Sequence, residues 1–206
     1  MLYRIFLVLL AVSAWFALAA QLYIIIRYRN SSVGATVVQY FSYYTILTNL
    51  MIAWVTTTLF IRREDTSKRQ KMLTAILVYI MTVGLTYNTI LRSLWKPQGL
   101  QLLADNLLHS IIPVLYLMFW IFFVRKQSLQ WKDIFQWLIY PLVYLVYVLI
   151  RGAYFGVYPY PFVDVEQLGY ARVMLNSLGV TAMILLFSLL FVGISKLLRK
   201  SQIRNL

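Results

Sequence analysis

The sequence predicts an all-α fold, an integral membrane bundle of six transmembrane helices with both termini in the cytoplasm. Of its 206 residues, 62% are hydrophobic and only 12% are charged, whereas a soluble domain carries roughly a quarter charged residues. Six apolar stretches each approach the length of about 20 residues that a helix needs to cross a bilayer. Lysine and arginine are distributed unequally between the gaps on the two sides of these stretches. We therefore expect residues 1–206 to form a single transmembrane domain.

The six predicted helices are separated by short gaps, so no room is left for a separate soluble domain. They cover approximately residues 5–26, 37–61, 72–95, 102–124, 134–150 and 173–194. The first resembles a secretory signal peptide, because Ala17-Leu18-Ala19 has the small residues of a cleavage site. Apolar residues nevertheless continue to Ile26, so we expect this segment to be retained as a transmembrane helix.

Orientation follows from the positive-inside rule, by which cytoplasmic loops carry the excess of basic residues. Thirteen of the 19 basic residues lie on the side of the N-terminus. The other six lie on the opposite side and are Arg27, Arg29, Arg92, Lys96, Arg151 and Arg172. We expect both termini to be cytoplasmic and the protein to lie in the plasma membrane.

Composition also excludes several functions. The net charge of +13 is dispersed among the gaps, whereas a nucleic-acid-binding protein concentrates it in a patch, so we expect no nucleic acid partner. One histidine and no cysteine provide too few ligands for zinc or haem. No lysine lies within an apolar stretch, which excludes a retinal Schiff base. We therefore expect neither a metal nor a cofactor, and the sequence leaves the oligomeric state open.

The most informative residue is His109, because a titratable base within the membrane marks a functional site by default. At helical spacing it shares one face of the fourth segment with Asp105, Pro113, Tyr116 and Trp120. The second segment carries a similar polar face, made by Ser42, Thr45, Asn49 and Thr56, with Thr48 at its edge. The fifth segment aligns Tyr140, Tyr144, Tyr147 and Arg151.

The polar faces of the second and fourth segments place Thr45 and His109 at similar depths in the membrane. Thr45 lies eight residues below the predicted start of its helix at Val37, or about 12 Å at 1.5 Å per residue, and His109 lies at a similar depth. A hydroxyl and an imidazole at matched depth are typical of a nucleophile–base pair, and Asp105, one turn from His109, would orient the ring. Thr48 is the alternative nucleophile. Asn49 would polarise the substrate carbonyl or hold the threonine hydroxyl, and the candidates for lining the substrate pocket are Ser42, Tyr116, Tyr144, Tyr147 and Arg151.

The aromatic loop at residues 152–170 is predicted to fold back as an ordered cap at one end of the bundle. Pro159 and Pro161 prevent a continuous helix there. We expect Asp164 and Glu166 to pair with Arg151 or Arg92.

Three short motifs resemble one family, the androgen-induced and androgen-dependent (AIG-type) multi-pass membrane proteins with their bacterial six-helix relatives. The motifs are Tyr44-Thr45-Ile46-Leu47-Thr48-Asn49, Asn106-Leu107-Leu108-His109-Ser110 with Pro113, and Gly156-Val157-Tyr158-Pro159-Tyr160-Pro161. The resemblance implies a threonine hydrolase that cleaves fatty acid esters of hydroxy fatty acids, with one intramembrane threonine and one intramembrane histidine. The implied partner is a membrane lipid or fatty-acyl substrate.

Carried onto this chain, the family's histidine is His109, and its threonine is Thr45 or Thr48. The family motif resembles Leu-Thr-Phe-Leu-Asn, with three positions from threonine to asparagine. Here the separation from Asn49 is four positions for Thr45 and one for Thr48. The tyrosine before Thr45 and its place on the polar face favour Thr45.

Another interpretation is a transporter or channel for a small molecule or ion, in which the polar faces line a permeation path. Few charges lie near the middle of the predicted membrane segments, where coupling to an ion would take place. The sequence therefore favours the hydrolase and leaves the transporter as the alternative.

Overall fold

The computed structural model describes residues 1–62 and 66–204, and all regular structure within these residues is helical. Six of the described helical stretches are long and apolar enough to cross a membrane. They span Leu2–Arg27, Tyr44–Ile61, Ser67–Leu94, Gly99–Phe123, Asp133–Phe155 and Val165–Leu198. The all-helical class is thereby confirmed, as is the presence of six helical stretches that are long and apolar enough to cross a membrane. Of the basic residues used to assign orientation, Arg63 and the side chains of Arg199, Lys200 and Arg204 lie outside the described part.

The chain divides into two compact units, Met1–Ser128 and Leu129–Leu206. The first unit contains α1 (Leu2–Arg27), α2 (Val33–Tyr40), α3 (Tyr44–Ile61), α4 (Ser67–Thr86), α5 (Gly99–Asn106) and α6 (Ile112–Phe123). A first π segment, Tyr87–Leu91, continues α4 and is followed by a 3₁₀ turn at Arg92–Leu94. A second π segment, Leu107–Ile111, joins α5 to α6. The second unit contains α7 (Asp133–Trp137), α8 (Ile139–Phe155) and α9 (Val165–Arg204), which is broken at Gly169.

The prediction of one continuous helix over residues 37–61 is wrong, because α2 ends at Tyr40 and α3 begins at Tyr44. Ser42 donates its side-chain hydroxyl to Val38 O at 2.6 Å, and Tyr43 has extended backbone angles, φ −82° and ψ 126°. A serine that bonds back to its own backbone competes with helical hydrogen bonds. No proline or glycine marks the break, and the apolar pattern continues across it. The sequence pattern therefore does not reveal the break.

The first unit is built around α1, which packs against α3, α5 and α6. Its buried residues are Leu7, Leu10, Ala14, Ala17, Leu18 and Ala20. Small residues such as the three alanines let membrane helices approach closely. Side-chain hydrogen bonds fix its neighbours. Trp15 Nε1 donates to Thr57 Oγ1 of α3 at 3.1 Å, and the Tyr40 hydroxyl donates to Leu18 O at 2.8 Å.

The contact between α4 and α6 is made by two buried aromatic donors. The Tyr116 hydroxyl donates to Leu73 O at 3.2 Å, and Trp120 Nε1 donates to Thr74 Oγ1 at 2.9 Å. Within a bilayer such donors have no water to bind, so they join helices instead. These bonds hold α6, and with it the second π segment, against α4.

In the second unit, the loop after α8, which we call the cap, packs back onto α8 and α9. Gly156 ends α8 in the left-handed region, at φ 63°, and a 3₁₀ turn at Pro161–Val163 precedes α9. The aromatic side chains pack onto a buried cluster of Val148, Val163 and Val173. The ring of Tyr158 lies directly over Gly152, where an added Cβ would come within 1.9 Å of it.

The expected ion pair between Arg151 and the carboxylates of the cap is not formed in the described residues. Arg151 Nη1 instead donates to Val157 O at 2.9 Å, and Asp164 Oδ1 accepts from the backbone N–H of Gln167 at 3.1 Å. Desolvation raises the pKa of the Tyr158 hydroxyl, and the charges of Tyr170, Glu166 and Asp164 add to this effect. The cap is therefore held by backbone bonds and aromatic packing.

Candidate active site

The two π segments of the first unit lie in contact with each other. In both, the backbone bonds widen from four residues to five. Arg92 N–H donates to Tyr87 O, and Ile112 N–H donates to Leu107 O. Single-turn π segments within α-helices occur frequently at functional sites, and His109 lies in the middle of the second one.

Pro113 explains why the second π segment forms. Proline has no N–H to donate to the carbonyl four residues earlier, and its ring crowds that carbonyl. The carbonyl in question is His109 O, and a wider turn relieves the crowding. The sequence signal for this local structure was therefore the spacing of His109 and Pro113.

Two asparagine side chains bind backbone carbonyls of the second π segment. Asn88 Nδ2 donates to His109 O at 3.1 Å, and Asn49 Nδ2 donates to Leu108 O at 3.3 Å. The Leu108 carbonyl is buried, and a buried carbonyl without a partner costs about 1–3 kcal/mol. The two amides thus anchor the backbone on both sides of the histidine.

The imidazole of His109 is held on one edge and one face. Its Nδ1 lies 2.9 Å from Asp105 O and 3.3 Å from Asp105 Oδ1. The ring of Tyr87 stacks on it, with centroids 3.8 Å apart and an interplanar angle of 15°. The His109 side chain is only 14% exposed.

These contacts assign the tautomer of His109. The nearer neighbour of Nδ1 is Asp105 O, a backbone carbonyl that can only accept, so Nδ1 carries the proton. A neutral imidazole with its proton on Nδ1 has its lone pair on Nε2. The same arrangement of carboxylate, Nδ1–H and basic Nε2 is found in serine hydrolase triads.

The carboxylate of Asp105 is buried and engaged on both oxygens. Oδ1 faces His109, while Oδ2 accepts a hydrogen bond from the hydroxyl of Tyr87. Trp95 Nε1 donates to the same tyrosine oxygen at 3.0 Å. Asp105 thus lies where the sequence predicted an orienting group, but Tyr87 and Trp95 are partners that the sequence analysis missed.

The two roles considered for Asn49 are distinguished by its hydrogen bonds. Its amide group has two N–H donors, and they are bound to Thr45 O at 2.9 Å and to Leu108 O at 3.3 Å. Its Oδ1 is buried without a hydrogen-bond partner among the described residues. No donor is left to polarise a carbonyl, whereas Oδ1 remains as an acceptor for a hydroxyl group or a water molecule.

Both candidate nucleophiles are buried on α3. Thr45 is 6% exposed and Thr48 is fully buried. Because α3 begins at Tyr44, Thr45 lies in its first turn, so the depth calculated from a helix start at Val37 does not apply. Among the described residues, no hydrogen bond joins either hydroxyl to His109. The amide of Asn49 nevertheless brings Thr45 O and Leu108 O to the same nitrogen, so the first turn of α3 lies beside the second π segment.

Of the five predicted pocket residues, two lie in the first unit. Ser42 is buried in the turn before α3 with its hydroxyl on Val38 O. Tyr116 is fully buried with its hydroxyl on Leu73 O. Tyr116 thereby joins α6 to α4, whereas the Ser42 hydroxyl bonds back to the last turn of α2.

The other three pocket candidates belong to the second unit. Tyr144 packs against the valine cluster beneath the cap, Tyr147 is 40% exposed, and Arg151 donates to Val157 O. Among the described residues, no group of three or more histidine, cysteine, aspartate or glutamate side chains is placed to hold a metal ion.

Comparison with known proteins identifies no relative. No protein-family model matches the chain, and neither the curated proteins nor the solved structures include a significant match to it.

Proposed function

We propose that the protein is an intramembrane hydrolase that cleaves a lipid ester, with His109 as general base and Thr45 as nucleophile. The observation that supports this most directly is the contact of His109 Nδ1 with two oxygens of Asp105, which leaves Nε2 as the base. The sequence resemblance to AIG-type hydrolases points to the same threonine and histidine.

In the proposed reaction, Thr45 Oγ attacks the ester carbonyl carbon while its proton passes to His109 Nε2. The C–O bond to the alcohol breaks, and the departing alcohol takes that proton from Nε2. Water then attacks the acyl-threonine, gives its proton to Nε2, and releases the fatty acid as the threonine regains its hydrogen. Asp105 stabilises the imidazolium that forms in each step.

The substrate class follows from the surroundings of the site. Helices α1 and α3 and the first π segment, which contact the second π segment, carry exposed apolar side chains. A substrate with long acyl chains can enter sideways from the bilayer. We propose a fatty acid ester of a hydroxy fatty acid or a similar lipid ester, in a plasma membrane protein with both termini in the cytoplasm.

The decisive experiment is acylation of the membrane-embedded protein by a fluorophosphonate probe, followed by mass spectrometry to locate the adduct. We expect one adduct, on Thr45, that is absent in Thr45→Ala and retained in Thr45→Ser. Thr48→Ala is the matched control, since Thr48 is a buried threonine on the same helix, and it should be labelled normally. An adduct that persists in Thr45→Ala, or that is lost in Thr48→Ala, would rule out Thr45 as the nucleophile.

Hydrolysis of a lipid ester by the same preparation tests the base. General base catalysis contributes about 10²–10⁴-fold, so His109→Ala should lose activity by that factor. The double variant with Thr45→Ala should lose little more, because residues that act as one unit are not additive. A transporter would instead show graded changes in flux with no covalent adduct in any variant.

A further inference from the structure

Tyr87 makes three contacts at the candidate site that its position in the sequence did not suggest. Its ring stacks on His109 at 3.8 Å between centroids. Its hydroxyl is hydrogen-bonded to Asp105 Oδ2 and to Trp95 Nε1, the latter at 3.0 Å. The side chain is 5% exposed, so these contacts are shielded from solvent.

The direction of each hydrogen bond around the Tyr87 hydroxyl is fixed by chemistry. An indole Nε1–H only donates, so the tyrosine oxygen accepts from Trp95. Tyrosine has a single hydroxyl proton, and it is therefore donated to Asp105. Trp95 thus orients Tyr87, and Tyr87 in turn orients the carboxylate so that Oδ1 faces His109.

Stacking and hydrogen bonding restrict different motions of the imidazole. The Tyr87 ring, nearly parallel at 15°, opposes tilting of the His109 plane, and Asp105 opposes rotation within that plane. With both restrictions in place, Nε2 points in one direction. A base must lie within about 2.6–3.2 Å of the proton that it removes, so this direction decides whether the base can act.

We propose that Tyr87 is a positioning residue for the reaction proposed above, holding the imidazole plane of His109 by stacking and the carboxylate of Asp105 by hydrogen bonding. The effect of Tyr87 on the reaction rate rests on the proposed function, whereas its effect on the orientation of the His109 ring does not. The orientation of the ring is measurable without any activity. Tyr87 acts through His109 and Asp105 and does not touch the substrate.

The chain allows a direct spectroscopic test, because His109 is its only histidine. After removal of any purification tag, protein labelled with ¹³C and ¹⁵N at histidine gives the signals of a single imidazole ring in micelles or nanodiscs. The Tyr87 ring should displace the His109 ring protons upfield. Tyr87→Phe keeps the ring and should retain that displacement, whereas Tyr87→Leu should lose it.

Tyr40→Phe is the matched control for loss of a buried hydroxyl. Tyr40 is 3% exposed, and its hydroxyl donates to Leu18 O at 2.8 Å, away from His109. Its variant should leave the histidine signal unchanged. If Tyr87→Leu also leaves the histidine signal as in the wild type, the ring of Tyr87 does not set its orientation and the inference is overturned.

Kinetics of lipid ester hydrolysis separate positioning from substrate binding. A misplacement of 1 Å can cost on the order of 10²-fold in rate, so Tyr87→Leu should lower kcat by about 10- to 100-fold with KM near the wild-type value. Tyr87→Phe should recover most of that loss. A raised KM with unchanged kcat would overturn the proposal, because Tyr87 would then contact the substrate. If the wild type hydrolyses no ester, the proposed function fails, and the NMR comparison alone decides whether Tyr87 holds the ring.

Discussion

Gly84 offers the sharpest test of how the second π segment is held against α4. A Cβ added at this position would lie 3.2 Å from His109 O and 3.2 Å from Pro113 Cβ. Both neighbours are stiff, one being backbone and the other part of a proline ring. Gly84→Ala should therefore push the two segments apart and weaken the bond from Asn88 to His109 O.

The magnitude can be worked out by comparison with a second glycine. Replacing glycine by alanine within a helix gains up to about 1 kcal/mol, while overpacking a tight contact costs about 1–3 kcal/mol. Gly34 lies in α2 and has open space around its Cβ position, with nothing within 4 Å. To a first approximation the helix gain cancels between the two variants. Gly84→Ala should then be less stable than Gly34→Ala by about 1–3 kcal/mol.

Reversible unfolding in mixed micelles, followed by circular dichroism, measures this difference. The single histidine signal should also shift in Gly84→Ala and stay in place in Gly34→Ala. Equal stability of the two variants, together with an unchanged histidine signal, would refute the close contact between α4 and the second π segment.

Two further predictions concern topology and the cap. Cysteines introduced at Ser67 and Gln167, both exposed, should react with an impermeant maleimide from opposite sides of the membrane, and reaction from the same side would eliminate the six-helix topology. Gly152→Ala should destabilise the cap by about 1–3 kcal/mol, because its Cβ would overlap the Tyr158 ring. The measurement is faster backbone hydrogen exchange over residues 157–164. Gly179→Ala is the control, because the Cβ position of Gly179 has open space around it.

Hydrophobic length predicted the six membrane-spanning stretches, because bilayer thickness sets a minimum that the sequence must meet. It did not predict the break between α2 and α3. Ser42 and Tyr43 interrupt the helix through a side-chain bond and an extended backbone angle, and neither changes the hydrophobic pattern. The depth estimate for Thr45 assumed a continuous helix from Val37 and therefore does not apply.

At the site, helical spacing placed Asp105 one turn from His109, and the structure has the two side chains in contact. Tyr87 was missed because a single tyrosine in an apolar stretch carries no signal of its own, and its partners His109 and Asp105 lie on another segment of the chain. The two π segments were missed because a spacing of 100° per residue does not hold through a turn that contains one extra residue. The second π segment needs Pro113, which lacks an N–H, and side chains that bind its backbone carbonyls. Those side chains, Asn49 and Asn88, come from other parts of the chain.

The engagement of Asn49 and Asn88 with backbone carbonyls has a consequence for sequence divergence. Each position needs two N–H donors at the end of a short side chain, since Asn49 bonds to Thr45 O and Leu108 O, and Asn88 bonds to Gly84 O and His109 O. Aspartate has almost the same shape, but its carboxylate oxygens would face the backbone carbonyl oxygens and could not donate to them. Serine supplies only one donor. We expect homologous chains to drift freely at lipid-facing positions while these two asparagines stay fixed. Deamidation of either one, a change of a single functional group, would be enough to release the turn that carries His109.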